Sequence, residues 1–169
     1  MDYNETLNLP ATDFPMRAGL PKREPTFLER WQQQRVYEKL LEKNKECPMF
    51  VLHDGPPFSN GSIHMGTAMN KVLKDFIIRY KSLSGYQVPY TPGWDNHGMP
   101  IESAIIKKNK LDRKKMTIPE FWDACLKFAE NFVDIQKQQF IRLGVLGDWD
   151  HPYLTMSPEF EAVEVRVFG

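Results

Sequence analysis

The stretch His53-Asp54-Gly55-Pro56-Pro57-Phe58-Ser59-Asn60-Gly61-Ser62-Ile63-His64-Met65-Gly66-Thr67 decides how this chain folds. It joins a short apolar run, residues 48–52, to a strongly periodic segment that begins at Met65. A continuous apolar run of that length predicts a strand buried on both faces of a parallel sheet. The Gly/Pro/Asn-rich turn predicts a tight loop, with a helix starting directly after it. First-turn N–H groups lack intrahelical partners, and the helix dipole adds roughly half a positive charge there. A phosphate is the natural guest of such a terminus. Gly61 and Gly66 leave room for a ligand to approach the backbone, and His64 and Thr67, three apart, project from the same side of the first turn.

Beyond the loop, Met65, Ala68, Met69, Val72, Leu73, Phe76, Ile77, Tyr80 and Leu83 recur at three- and four-residue spacing. That stripe predicts a helix covering a sheet, with Lys71, Lys74, Asp75, Arg79 and Lys81 on the solvated side. Gly85 marks a left-handed helix end. Residues 87–91 form the next extended segment, where Pro89 suggests an edge or a bulge. Strand, helix, strand is a right-handed βαβ unit, and the fold class is α/β. Ligands of such sheets collect at the carboxyl ends of the strands, so loops 53–62 and 92–100 should meet. The second loop carries Trp94, Asp95 and His97. Such residues on a loop held by a rigid sheet are where sites usually form.

The flanks read as scaffold. Pro10, Pro15, Pro21 and Pro25 predict an extended N-terminal arm that packs through Leu7, Leu9, Phe14 and Met16. A helical pattern runs from Thr26 to about Lys45. After a short helix, the basic tract 107–115 is a solvated connector, its charge too local for an RNA surface. Thr117-Ile118-Pro119-Glu120 has the form of a capping box. It opens a long scaffold helix, with Phe121, Cys125, Phe128, Phe132, Ile135 and Leu143 on one face to Gly144. Residues 147–153 form a polar and aromatic loop, and Pro158 opens a last helix with Phe160, Val163 and Val167 in register. Two strands among several helices leave an unpaired edge, the pattern of the first half of a larger sheet. The expected division is an arm and helix over 1–46 and a half-domain over 47–169.

Bulk properties exclude several classes. With 41% hydrophobic and 26% charged residues the chain has an ordinary globular composition. Lys+Arg and Asp+Glu are both 22, which argues against an autonomous electrostatic nucleic-acid binder. Cys47 and Cys125 are far apart and form no CxxC, so reduced thiols and a cytoplasmic location are expected. No segment approaches the ~18 apolar residues of a membrane span, and no dedicated metal cluster is visible.

The 53–67 loop resembles the HIGH-signature region of the class I aminoacyl-tRNA synthetases. Together with Gly93-Trp94-Asp95, His97-Gly98 and Pro100-Ile101-Glu102, it is most similar to the isoleucyl-tRNA synthetases. Leu9 to Arg17 and Gly147-Asp148-Trp149 fit the same resemblance. It implies the first half of a Rossmann-like catalytic domain, cut before the editing insertion and the KMSKS half. It also implies that isoleucine is activated with ATP and Mg²⁺ and transferred to tRNA(Ile), by a protein that is a monomer at full length. A fragment ending here would then be inactive alone. On the resemblance, His64 and Thr67 are catalytic; Gly61, His64, Gly66 and Thr67 bind ATP; Gly55, Pro56 and Asp95 bind the amino acid. His53 and His97 would structure the loops, and Trp94 would pack beneath the site. Thr67 is the departure, because the family signature ends there in a second histidine. A hydroxyl gives one hydrogen bond but carries no positive charge. That substitution keeps a non-catalytic, synthetase-like binding or regulatory protein as the alternative. A small nucleotidyl transferase is the third reading, and it leaves the 93–102 motif unexplained.

Overall fold

The computed structural model describes residues 3–8 and 19–169, and parallel pairing occurs around the loop at three places. Met49 bridges Gln87 and Phe58 bridges Asp95, both in parallel sense. Strand β1, Gly93–Trp94, pairs in parallel with β2, Tyr153–Leu154. Residues 48–52 are not buried on both faces as expected. Met49 and Val51 are 63% and 66% exposed, while Phe50 and Leu52 pack against Ile78, Val88, Tyr90 and Val145. One face of the run is therefore covered and the other is open. The strand at 153–154 replaces part of the expected loop.

Helix α1, Leu20–Gln33, starts earlier than the prolines suggested. Pro21 falls in the first turn, where its missing N–H is not needed, and Pro25 lies inside the helix. Arg35 at φ +50° separates α1 from α2, Val36–Lys43. Asn44, just past α2, donates from Nδ2 to the carbonyls of Ser82 (2.9 Å) and Tyr86 (2.8 Å). Leu7 is exposed, so it anchors no arm, and Leu9, Phe14 and Met16 lie outside the described residues.

Helix α3, Met65–Leu83, ends at Gly85 (φ +84°) as predicted, but it faces the opposite way. Its buried residues are Lys71, Asp75 and Ile78. Met65, Met69, Leu73, Phe76, Ile77, Tyr80 and Leu83 are exposed, Phe76 by 61% and Leu83 by 84%. The charges turn inward because they find partners there. The Asp75 carboxylate accepts from the Leu146 amide (3.0 Å) and from Arg79 (2.5 Å), while Arg79 also donates to the Gly144 carbonyl (2.6 Å).

Helix α4, Met99–Asn109, packs on α5, Ile118–Arg142. Their shared core is Ile101, Ile105, Phe121, Phe128, Ala129 and Phe132. The capping box at α5 is complete: Thr117 Oγ1 accepts from the Glu120 amide, and the Glu120 carboxylate accepts from Thr117 N–H. Leu143 is exposed, and the buried face continues instead through Val133, Gln136 and Phe140. In the basic tract, Arg113 pairs with Glu102 (3.2 Å) and Lys108 lies over the Phe132 ring (4.1 Å). Helix α6, Pro158–Phe168, is capped by Ser157 and buries no residue, with Val163 and Val167 exposed. No helix among the described residues is long and apolar enough to cross a membrane.

Candidate active site

Asp54 is the buried anchor of the 53–67 loop. Its Oδ2 pairs with the Lys71 ammonium and accepts from the Gly93 amide (3.1 Å), while Oδ1 accepts from Lys74 Nζ (2.8 Å). Its own carbonyl accepts from the Tyr153 hydroxyl (2.6 Å). One side chain thus ties the loop to α3 and β1, and its carbonyl ties it to β2. Burial alone would raise the Asp54 carboxyl; the Lys71 ammonium, with the Lys74 and Gly93 hydrogen bonds, outweighs it and holds the group below its ordinary value. Two ammonium groups meet one carboxylate, so positive charge is in surplus beneath Gly55. Lys74 also reaches the Gly55 carbonyl (3.4 Å).

The two expected loops do meet. The Asp95 amide donates to the Pro57 carbonyl (3.0 Å), and the Ser59 amide donates to the Asp95 carbonyl (3.2 Å). Asn96, also buried, donates from Nδ2 to Ser59 Oγ (2.8 Å). Asp95 is half-buried, and its Oδ1 accepts from the His97 amide (3.3 Å). Asp95 is therefore bonded directly to the Pro57–Ser59 part of the loop that also carries Gly55 and Pro56.

His64, Gly66 and Thr67 share the first turn of α3. His64 is the N-cap: its Nδ1 accepts from the amides of Gly66 (3.1 Å) and Thr67 (3.3 Å). A neutral imidazole whose Nδ1 accepts carries its proton on Nε2, which leaves an unspent donor at the exposed helix end. Two first-turn amides expected to be open are thus already occupied by the imidazole. Gly66 has a local reason too, since a β-carbon there would stand 3.0 Å from His64 Cε1. Around Gly61 a β-carbon would meet nothing within 4 Å.

Residues 60–63 connect the two groups, and α5 holds them. Gln136 is buried, accepts from Trp94 Nε1 (3.0 Å), and donates to the carbonyls of Phe58 (3.0 Å) and Gly61 (2.7 Å). Gln139 accepts from the Ile63 amide (2.9 Å). Ser59 and His64, the nearest members of the two groups, are five residues apart, so their Cα atoms lie at most about 18 Å apart. Trp94 is fully buried and packs with Phe140 and Trp149. His53 stacks on Tyr153 (5.7 Å), and His97 Nε2 lies 3.4 Å from Glu161.

Sequence reasoning missed Asp54, Lys71, Lys74, Tyr153, Gln136 and Gln139 as shapers of the site. A polar signal existed for Gln136, which sits four residues after Phe132 and four before Phe140 on an apolar face.

Residues 48–67 thus run from a bridged extended segment through a tight loop into a histidine-capped helix, hydrogen-bonded beside the loop that carries Asp95. Residues 26–169 match the family model of the class I tRNA synthetases (I, L, M and V), and the chain belongs to that family. Over all 169 residues it is 57% identical to the isoleucine--tRNA ligases of Caldicellulosiruptor bescii and Geobacillus kaustophilus, and 54% identical to that of Bacillus subtilis. The match takes in 100% of this chain and 18% of each relative, so the chain spans under a fifth of their length. Among solved structures, the Agrobacterium radiobacter K84 LeuRS–tRNA–LeuAMS ternary complex superposes with a TM-score of 0.70 at 22% identity. That match covers 90% of this chain and 17% of the other, and it establishes the fold.

Proposed function

We propose that this chain is the first half of the Rossmann-like catalytic domain of an isoleucine-activating synthetase, with residues 1–46 a segment attached to it. The observation that carries this reading is the 54–57% identity to isoleucine--tRNA ligases over every residue, so that both loops fall inside the matched stretch. In the complete reaction the isoleucine carboxylate attacks the α-phosphorus of ATP, pyrophosphate leaves, and the isoleucyl group passes to tRNA(Ile). Most of the barrier is charge redistribution on phosphoryl oxygens, so positioned donors do most of the work.

The Asp95 carboxylate holds the substrate ammonium as a charge-assisted pair. Gly55 and Pro56 form the wall beside it, over the surplus positive charge of Lys71 and Lys74. On the nucleotide side, His64 Nε2–H and the Thr67 hydroxyl donate to phosphate oxygens, helped by the α3 dipole. Gly61 leaves that approach open, Gly66 makes room for the His64 ring at the helix end against which the nucleotide lies, and Mg²⁺ arrives as the counterion of ATP.

The test is isoleucine-dependent pyrophosphate exchange, using the Bacillus subtilis ligase with its matched segment replaced by this chain. Exchange with isoleucine in strong preference to leucine and methionine is expected. No amino-acid-dependent exchange, or equal rates with all three, would sink the reading.

A further inference from the structure

We propose that Asp54 is a positioning residue for the amino-acid side of the site: its buried carboxylate fixes β1, and through it Asp95, against the Gly55–Pro57 wall. This rests on the reading of Asp95 given above. The carboxylate is the acceptor for the Gly93 amide, two residues before Asp95. Next along the same pairing, Asp95 itself donates to Pro57, and Ser59 donates back to Asp95. The two segments are thus joined at one end by a side chain and at the other by backbone.

The side-chain joint is fixed from every direction. Lys71, Lys74 and Gly93 fill both carboxylate oxygens, and Tyr153 holds the backbone carbonyl of the same residue. A carboxylate is the group that suits this place, because its neighbours are all donors and it has two acceptor oxygens. An amide in its place offers one acceptor oxygen, and an aliphatic side chain none. The consequence is specific to one substrate. Loss of the joint lets Asp95 shift against the wall, while the first turn of α3 keeps anchors of its own, the His64 cap and the bond from the Ile63 amide to Gln139.

A buried ion pair that only stabilises the fold would behave differently. Replacing both charges by apolar groups of similar size is often neutral for stability, whereas deleting one charge is costly. Paired substitutions therefore separate fold from placement. The variants are Asp54→Leu/Lys71→Met, with no acceptor, and Asp54→Asn/Lys71→Met, with one. Both are made in the full-length background described above.

Pyrophosphate exchange with varied isoleucine and varied ATP is expected to give a KM for isoleucine raised about tenfold or more in the leucine pair and less in the asparagine pair. The KM for ATP should stay within about twofold in both. If isoleucine KM is unchanged in the leucine pair, or both KM values rise together, Asp54 is not a positioning residue. Should the leucine pair not fold, the asparagine pair decides by the same split. Amide exchange of residues 93–97, measured on the same proteins by mass spectrometry, needs no activity. Local exchange accelerated at matched global stability supports the placement, and exchange equal to the parent's overturns it. Because this readout stands even if the background does not use isoleucine, failure of the functional reading is distinguishable from failure of this one.

Discussion

The ring of Tyr153 lies where a β-carbon on Gly93 would have to be. These two residues face each other in the register of β1 and β2, so the strands lie side by side only because residue 93 has no side chain. Gly93→Ala should cost about 1–3 kcal/mol, the usual penalty for forcing atoms into a filled site. Denaturant unfolding of Gly93→Ala and of Gly61→Ala would check this. The second should be much milder, since the space around Gly61 is open. Equal losses would show that the ring moves aside freely.

Asp95 should act through charge. Asp95→Asn preserves the shape and the backbone bridge to Pro57 but removes the negative charge offered to an ammonium. Isoleucine KM in pyrophosphate exchange should rise at least about tenfold, in the range expected when one partner of a charged hydrogen bond is lost. ATP dependence should change little. A parent-like isoleucine dependence would place the ammonium elsewhere.

His64 combines two jobs that substitutions can divide. Asparagine is also a good N-cap, so His64→Asn should keep the α3 cap while losing the Nε2–H donor. Its unfolding midpoint should stay near the parent's while the rate of adenylate formation falls on the order of 10² or more. His64→Ala should lose both, with a stability cost of about 1 kcal/mol for the missing cap. Thr67→Val, which deletes one hydroxyl, should lower the single-turnover rate several-fold, about 1 kcal/mol. A silent His64→Asn would show that this helix end takes no part in the chemistry.

Tyr153 predicts an alkaline transition. Burial, followed by the nearby Asp54 and Asp95 charges, pushes its phenol up to about 12. The unfolded phenol titrates near 10, so the folded state holds this proton more tightly. The stability from its bond to the Asp54 carbonyl is therefore complete below about pH 10 and lost as pH rises towards 12. Urea unfolding across that window should show a steeper decline in the parent than in Tyr153→Phe. Parallel declines would contradict the assignment.

The apolar face of α3 should make the isolated chain adhesive. A row of exposed Met69, Leu73, Phe76 and Tyr80 on one helix is the kind of surface that binds hydrophobic dyes and other copies of itself. Leu73→Gln with Phe76→Gln should reduce dye binding and concentration-dependent association without lowering the unfolding midpoint. Unchanged association would place the contact on another surface.

That same helix explains why its orientation could not be read from residue types. Periodicity identifies an apolar side and a charged side, but not which one finds partners within the chain. Lys71, Lys74, Asp75 and Arg79 had the spacing of a solvated face, and their partners, Asp54 and the backbone at 144 and 146, are remote in sequence. Features made within a few residues were legible: the Thr117–Glu120 capping box, the Gly85 helix end, and the loop that leads into α3. The parallel sense of pairing was legible as well, because a crossover helix dictates it. Of the residues that shape the loop from a distance, Tyr153 carried no local pattern, and Gln136 stood out only as a polar residue on an apolar face, with nothing nearby to show what it reaches.

Gln136 and Gln139 bear on how the site comes into being. Their bonds to Phe58, Gly61 and Ile63 close loops of 75 to 78 residues, among the longer separations in the molecule. Long closures are entropically costly and form late relative to local helix contacts. A nascent chain that has not yet delivered α5 can wind α3 and cap it with His64, but it cannot set the carbonyls at 58 and 61. Residues 58–63 therefore take their shape only once α5 is in place, and synthesis halted before Gln136 would yield a helix without its loop.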